Sequence, residues 1–261
     1  MRIRDVNQDN LKRSFDMKKD IVLGVIPARY NSSRLPGKPL LSIKGKPLIQ
    51  RVYESASRSK LLNQVIVATD DQKIKKSVDD FGGKAVLTSS KPKTGSDRVA
   101  EAVKGLNYDL VLNIQCDEAF MNPRMLDQLI GFMQKNRDVQ MGTLAKKAND
   151  PDFFRNPDRV KVVLDKDGNA IYFSRFPIPF QRGNGEKGIN YYEHIGVYAF
   201  RKEFLSKFAK LKQTPLEKTE SLEQLRVLEN GYKIKVLLTD YDSKSINSHS
   251  DLRQFNKEGL N

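Results

Sequence analysis

The chain has 261 residues, of which 38% are hydrophobic, and this is enough for a folded core, so global disorder is excluded. Its 46 Lys and Arg exceed its 32 Asp and Glu, and the resulting net charge of +14 favours anionic partners. The basic residues are spread along the chain without a long run or an aromatic RNA-binding motif, which argues against nucleic acid as the partner. The single cysteine, Cys116, excludes an intrachain disulfide and a cysteine-based zinc site, and it suits a reducing compartment.

The first twenty residues are polar and unpatterned, and they lack the apolar stretch of a signal peptide. No run elsewhere approaches the apolar length of a membrane span. We therefore expect a flexible extension over residues 1–20, a single domain over 21–261, and a cytoplasmic protein without a membrane partner.

The first half of that domain alternates apolar runs with helical patterns. Strands are predicted over 21–27, 64–70, 84–88 and 109–120, where short runs rich in β-branched residues lie between polar boundaries. Helices are predicted over 47–59, 72–81 and 94–106, and another begins at Pro123. Asp70 or Asp71 is expected to cap the second of these helices. Strands separated by helices of this length indicate βαβ units, and therefore an α/β fold with a mostly parallel central sheet flanked by helices.

After residue 137 the pattern changes to closely spaced strands, predicted over 139–147, 159–175 and 194–201. The Asp167-Gly168 pair within the second run is a hairpin signal, so we expect a smaller antiparallel insertion over about 138–200. The Pro- and Gly-rich segment 176–190 is expected to form a mobile loop over a site. Helices near 201–211 and 218–229, a strand over 233–239 and a helix near 249–257 complete the domain.

The loop "PARYNSSRLPGKPL" (27–40) directly follows the first predicted strand. Its cations, Arg29, Arg34 and Lys38, stand beside a glycine at the end of a strand where open α/β sheets bind ligands, so the loop suits a phosphate chain. The alternative is an ordinary solvated loop. A P-loop is disfavoured, because a proline rather than Ser or Thr follows the Gly-Lys pair.

A second signal is "NIQCDEAF", where a buried strand ends in Gln115, Asp117 and Glu118. Acids at the end of a central strand are costly unless they bind a cation or stay solvated. We therefore interpret Asp117 as a magnesium ligand and Glu118 as a capping or packing residue; the alternative is that either acid caps the helix at Pro123. Cations on one side of a phosphate and a metal on the other would serve displacement at phosphorus.

Seven motifs together resemble the 3-deoxy-manno-octulosonate (Kdo) cytidylyltransferase family: "VIPARYNSSRLPGKPL", "VIVATDD", "TGSDRVAEAV", "NIQCDEAF", "VKVVLDKDGNAIYFSR", "EHIGVYAFR" and "TPLEKTESLEQLRVLENGYKI". The resemblance runs from about Ile21 to the C-terminal helix. It implies a nucleotide-diphospho-sugar transferase-like fold and a homodimer, with its dimerisation and sugar-binding part at about 138–200. It also implies an enzyme that uses CTP and Mg²⁺ to convert a 3-deoxy sugar acid, Kdo, into CMP-Kdo for lipopolysaccharide synthesis.

The resemblance also implies site residues. The catalytic residues are Arg29, Lys38 and Asp117; the nucleotide-binding residues are Arg29, Arg34, Lys38, Thr94, Gly95, Ser96, Arg98 and Gln115; the sugar-binding residues are Arg175, His194, Tyr198, Glu223 and Gln224; the metal ligands are Asp117 and Asn247. The sugar set suits a ligand with one carboxylate and many hydroxyls. Taken singly, His194 could instead be a locally bonded strand-end histidine, and Glu223 and Gln224 an exposed helix face.

Three residues depart from the family pattern. Cys116 and Ala119 stand where the family typically has Gly and Pro in Gln-Gly-Asp-Glu-Pro, which could shift the substrate pose and loosen the turn. Asn247 aligns with the second metal-binding aspartate and is a neutral, weaker ligand. Two alternatives therefore stay open: a related sugar acid such as 8-amino Kdo as substrate, or an impaired homologue that only binds nucleotide.

Overall fold

The computed structural model describes residues 20–31, 35–148, 150–182, 190–243, 245–246 and 249–257. The predicted N-terminal extension lies almost wholly outside these residues, as does the middle of the predicted loop 176–190. Within the described part of the chain, no helix is both long enough and apolar enough to cross a membrane.

Eleven strands are present in the described residues. They are β1 (Val22–Ala28), β2 (Ser42–Ile43), β3 (Lys46–Pro47), β4 (Gln64–Thr69), β5 (Ala85–Leu87), β6 (Leu110–Ile114), β7 (Met141–Lys147), β8 (Lys161–Leu164), β9 (Ala170–Ser174), β10 (Tyr192–Arg201) and β11 (Lys235–Leu238). Strands β2 and β3 form a small separate hairpin, and the other nine form one sheet.

The main sheet has the order β11-β7-β10-β6-β1-β4-β5, in which β6, β1, β4 and β5 run parallel. Strand β10 is antiparallel to both β6 and β7, and the β8–β9 hairpin branches from the beginning of β10. The predicted fold class, a mostly parallel sheet with a smaller antiparallel part, is thus confirmed. Because β1 and β6 are parallel neighbours, the loops that follow them leave from the same edge of the sheet.

Nine α-helices surround the sheet in the described residues. They are α1 (Leu48–Ala56), α2 (Gln72–Asp80), α3 (Gly95–Ala102), α4 (Pro123–Lys135), α5 (Pro151–Arg155), α6 (Lys202–Phe208), α7 (Pro215–Glu220), α8 (Leu225–Glu229) and α9 (His249–Lys257). The short helix α5, capped by Asp150, was not predicted. As predicted, an aspartate caps α2: Asp71 accepts hydrogen bonds from the backbone N–H groups of Lys73 and Ile74.

The predicted single helix over 218–229 is wrong. The segment forms α7 and α8 instead, because Ser221 adopts a left-handed conformation with φ of 52° and the backbone N–H of Leu222 bonds back to the carbonyl of Glu217. The break turns Glu223 and Gln224 away from a regular helix face.

Apolar side chains on both faces of the sheet form the core. Strand β1 is buried at all seven positions, as expected for a central parallel strand. Val22 and Ile26 face a cluster with α1, α2 and α4, while Leu23 and Val25 face a cluster with α3, α6 and α8. The domain is therefore a sheet between two helical layers.

A buried ion pair fixes α7 and α8 to the rest of the domain. The guanidinium of Arg226, which is 1% exposed, bonds both carboxylate oxygens of Glu217 at 2.8 and 2.5 Å. It also donates to Asp97 in the first turn of α3 at 2.8 Å and stacks on Phe208. Its hydrogen bonds with Glu217 and Asp97 raise the pKa of Arg226 against the effect of burial, so it stays charged.

We expect Arg226→Met to lower the free energy of unfolding by about 3–5 kcal/mol, because it leaves Glu217 as a buried carboxylate without a cation. Urea unfolding followed by circular dichroism measures the loss. The double variant Arg226→Met with Glu217→Gln should recover part of it, since no buried charge then remains. A loss below about 1 kcal/mol in the single variant would contradict this account.

Candidate active site

The loops after β1 and β6 bring Lys38 and Asp117 together. The Lys38 Nζ lies 3.0 Å from an Asp117 carboxylate oxygen, and the two side chains are 15% and 31% exposed. The loop returns to this point through Gly37, whose φ of 69° favours glycine and whose N–H bonds the carbonyl of Tyr30. Lys38 and Asp117, which the sequence analysis placed on opposite sides of a phosphate, thus form one ion pair at the edge of the sheet.

Arg29, also after β1, holds the loop that leads into α3. One guanidinium nitrogen donates to the carbonyl oxygens of Pro92 at 2.6 Å and Thr94 at 3.0 Å. Burial, with the nearby charge of Arg98, lowers the pKa of Arg29 from its ordinary value. Arg29 therefore fixes this loop and is also part of the site.

Two adjoining cavities open at this edge. The smaller, of about 360 Å³, is lined by Arg29 and Lys38. The larger, of about 590 Å³, extends along β10. They share five lining residues, namely Lys93, Thr94, Gly95, Gln115 and Asp117. The cavities are thus two compartments of one site that meet at the first turn of α3 and the end of β6.

All five predicted sugar-binding residues line the larger cavity: Arg175, His194, Tyr198, Glu223 and Gln224. They come from β9–β10 and from the break between α7 and α8. The break is therefore what brings the last two into the cavity. The first, Arg175, is itself anchored by bonds from its side chain to the carbonyl oxygens of Glu220 and Pro157.

The imidazole of His194 has a defined tautomer. Its Nε2 lies 3.0 Å from the hydroxyl of Thr143, and that hydroxyl also lies 2.6 Å from the carbonyl of Val197. Because a carbonyl only accepts, the hydroxyl donates to Val197 and Nε2–H donates to the hydroxyl. Burial lowers the pKa of His194 to about 3, so the ring is neutral and Nδ1 remains an acceptor.

Glu223 and Gln224 are held very differently. The Glu223 carboxylate accepts from the Ser96 backbone N–H at 3.0 Å, the Ser96 hydroxyl at 2.7 Å and the Asn113 amide at 3.2 Å. The buried amide nitrogen of Gln224 has no hydrogen-bond partner among the described residues. A buried donor without a protein partner beside a cavity is available to an acceptor that enters the cavity.

Comparisons with known proteins decide the family. Residues 23–234 match a family model described as Cytidylyltransferase. The chain belongs to the cytidylyltransferase family. It is 51% identical over 244 residues to a 3-deoxy-manno-octulosonate cytidylyltransferase of Thermodesulfovibrio yellowstonii, covering 89% of this chain and 95% of the relative. An 8-amino-3,8-dideoxy-manno-octulosonate cytidylyltransferase of Shewanella pealeana is 45% identical over 233 residues, covering 88% and 94%.

A solved structure of a CMP:2-keto-3-deoxy-manno-octonic acid synthetase complexed with CTP is similar throughout. It superposes with a TM-score of 0.84 at 38% identity and covers 90% of this chain and 97% of that chain. The resemblance to the Kdo cytidylyltransferases is confirmed, and with it the enzyme class, a nucleotidyltransferase.

Not every predicted nucleotide-binding residue reaches a cavity of this cytidylyltransferase. Ser96 and Arg98 are each 1% exposed, and neither lines the two cavities. Arg98 lies on the inner face of α3, where it pairs with Asp70 at 3.0 Å and contacts the hydroxyl of Thr88. From these positions their side chains would support the pocket rather than touch a nucleotide.

Two predicted residues, Arg34 and Asn247, lie outside the described residues. The residue before Asn247 is described: the backbone N–H of Ile246 bonds the carbonyl oxygen of Asp117 at 3.0 Å, so Ile246 lies beside the loop that follows β6.

Glu118 is a packing residue. The alternative that Asp117 or Glu118 caps α4 is wrong, because Asn122 caps that helix. Glu118 accepts from the hydroxyl of Ser243 and the backbone N–H of Gly196. Burial, and the neighbouring Asp117 charge, raise its pKa to about 7.

Three residues of the site were missed by the sequence analysis. Asn113 lines neither cavity but donates to Glu223, and it carried a signal, since it is a fully buried polar residue inside the apolar β6. Arg159 and Glu193 line the larger cavity as an ion pair, but nothing in their local sequence distinguishes them from ordinary strand-end charges.

We expect His194 to make stability depend on pH. Its pKa is about 3 when folded and 6.5 as its ordinary value, so the unfolded chain binds more protons between these pH values and stability rises with pH across that window. Urea unfolding at pH 5 and pH 7.5 should therefore show a smaller difference for His194→Gln than for wild type. Equal differences in the two proteins would mean that folding does not lower the pKa of His194.

Proposed function

We propose that the protein transfers CMP from CTP to the anomeric hydroxyl of Kdo, releasing pyrophosphate and supplying CMP-Kdo for lipopolysaccharide synthesis. The observation that carries this proposal is the meeting of the two cavities at Gln115 and Asp117. Cations line the smaller cavity and the sugar set lines the larger one, so an α-phosphate and a sugar hydroxyl would meet at their junction.

In this proposal the smaller cavity binds the triphosphate. Lys38 exchanges its carboxylate partner for phosphate oxygens, and the remaining N–H groups of Arg29 face the same anion. The sugar oxygen forms a bond to the α-phosphorus while the bond to pyrophosphate breaks and the hydroxyl proton is released. Fixed cations lower the barrier by offsetting charge on the phosphate oxygens.

The proposed metal is Mg²⁺. Asp117 fits it, because its carboxylate is a hard oxygen ligand, partly exposed at the junction of the cavities. Among the described residues no three His, Cys, Asp or Glu side chains cluster as a complete metal site, so Asn247, phosphates or water would supply the other ligands. When bound, the ion would polarise phosphate oxygens and orient the triphosphate.

The larger cavity would orient the sugar acid. Arg175 offers a cation to the carboxylate, Nδ1 of His194 accepts from a hydroxyl, and the amide of Gln224 donates to one. Burial raises the pKa of Tyr198 well above its ordinary value, so its phenol remains a donor.

We also propose a cytoplasmic location and a homodimer. The absence of disulfides suits the cytoplasm. A second copy of the chain would cover apolar side chains of the antiparallel part, since Ile171, Phe176 and Phe180 are 59%, 76% and 86% exposed.

One alternative substrate has a specific observation behind it, the similarity to the Shewanella pealeana enzyme named for 8-amino Kdo. Pyrophosphate release with CTP and a panel of 3-deoxy sugar acids separates the substrates. Nucleotide binding without release from any of them would instead identify an impaired homologue.

We expect Asp117→Asn to lower kcat by about a thousandfold, because a neutral amide would hold the proposed Mg²⁺ weakly and about 4 kcal/mol of transition-state stabilisation would be lost. Pyrophosphate release in excess Mg²⁺ measures the change, with circular dichroism to verify folding. Near-wild-type turnover by the folded variant would refute the role of Asp117.

We expect Lys38→Ala to raise the KM for CTP about 10- to 100-fold, which corresponds to the loss of one charge-assisted phosphate contact. Lys91→Ala is the matched control, since Lys91 is exposed in the loop before α3 and lines neither cavity. If both variants had the same KM for CTP, Lys38 would not be a phosphate ligand.

A further inference from the structure

The end of the larger cavity away from Asp117 contains an arginine–carboxylate pair. Arg159 donates from Nε and Nη2 to the two oxygens of Glu193 at 3.1 and 2.7 Å. Both side chains line the cavity and remain partly exposed, at 24% and 18%. The same guanidinium also binds Asp150 with two bonds, at 2.6 and 3.0 Å.

This pair lies at a definite distance from the reacting end. Gly196 packs against Gln115 and Glu118 at the junction, where a Cβ on the glycine would lie 3.2 Å from Gln115. Glu193 is three residues earlier on β10, roughly 10 Å away at the ordinary rise of a strand. An eight-carbon sugar acid with its anomeric carbon at the junction is long enough for its terminal carbon to reach the pair.

Cations lie close to Glu193 on the cavity side, whereas the other acids that bind them lie on the solvent side. Lys146 on β7 and Lys161 on β8 are its cross-strand partners, so with Arg159 three cations surround this one carboxylate. Two of these cations also bind acids that face solvent. Arg159 binds Asp150, which is 48% exposed, and Lys146 binds Asp242, which is 81% exposed. Lys161 is fully buried, and its ammonium donates to the backbone carbonyl oxygens of residues 156 and 175.

Water screens the outward acids far more than the groups that line the cavity. The terminal carbon of the substrate therefore meets a region with an excess of positive charge. A hydroxyl there can donate to Glu193 and accept from a cation without conflict. An ammonium would find both carboxylates that line this end in the described residues already paired with guanidinium groups, Glu193 with Arg159 and Asp158 with Arg175 at 3.6 Å.

We propose that the Arg159–Glu193 pair is a specificity determinant, which favours a sugar acid with a hydroxyl at its terminal carbon over one with an ammonium. The inference rests on the proposed function and refines its substrate class. Discrimination of this kind depends as much on repulsion of the wrong substrate as on attraction of the right one.

The test compares kcat/KM for Kdo and for 8-amino Kdo by pyrophosphate release at pH 7. Wild type should favour Kdo by at least tenfold. Arg159→Gln should reduce that preference about tenfold, because Glu193 becomes available to the ammonium. Glu193→Gln should increase it, since the cations then lose the Glu193 carboxylate.

Arg124→Gln is the matched control, because Arg124 is exposed on α4 and lines neither cavity. It should leave the ratio unchanged. If Arg159→Gln fails to fold after losing Asp150, the Glu193→Gln result still decides the proposal. A wild type that prefers 8-amino Kdo, or a ratio that neither variant changes by more than twofold, would overturn it. No pyrophosphate from either sugar with wild type would instead refute the proposed function as well.

Discussion

The first turn of α3 is the part of the molecule on which both compartments depend. Arg29 holds it from the end of β1 through the carbonyl of Thr94, and Arg226 holds it from α8 through Asp97. The Glu223 carboxylate binds the backbone N–H and hydroxyl of Ser96 at the same turn. This turn lines both cavities. Contacts from elements that are distant in sequence therefore hold the wall that the two cavities share in a single position.

Two adjacent acids show how environment separates residues with the same chemistry. Asp117 faces the junction, partly exposed and paired with Lys38, and it is poised to bind a cation. Glu118 faces inward, bonds Ser243 and Gly196, and burial raises its pKa to about 7. In the proposed function Asp117 would take part in the chemistry, whereas Glu118 holds Ser243 beside the end of β6.

Much of the fold could be predicted from local sequence, since β1, β4 and β6 are short apolar runs and Asp71 caps α2. The break at Ser221 could not, because the sequence around it keeps a helical pattern and long-range bonds to Asp97 and Ser96 hold the two pieces. The loop cations and Asp117 could be inferred from local pattern, whereas the sugar-binding residues came from resemblance, and all five of the latter line one cavity. The Arg159–Glu193 pair depends on how β8 and β10 meet, which no local pattern encodes.

Helices α7 and α8, on either side of the break at Ser221, depend on their surroundings for stability. Segments of six and five residues cannot persist as isolated helices in water, so α7 and α8 exist only while their tertiary contacts hold. Separation of Arg226 from Glu217 would therefore release both together rather than fray one end. This wall of the larger cavity thus forms a single cooperative unit, whose opening would expose the interior of that cavity.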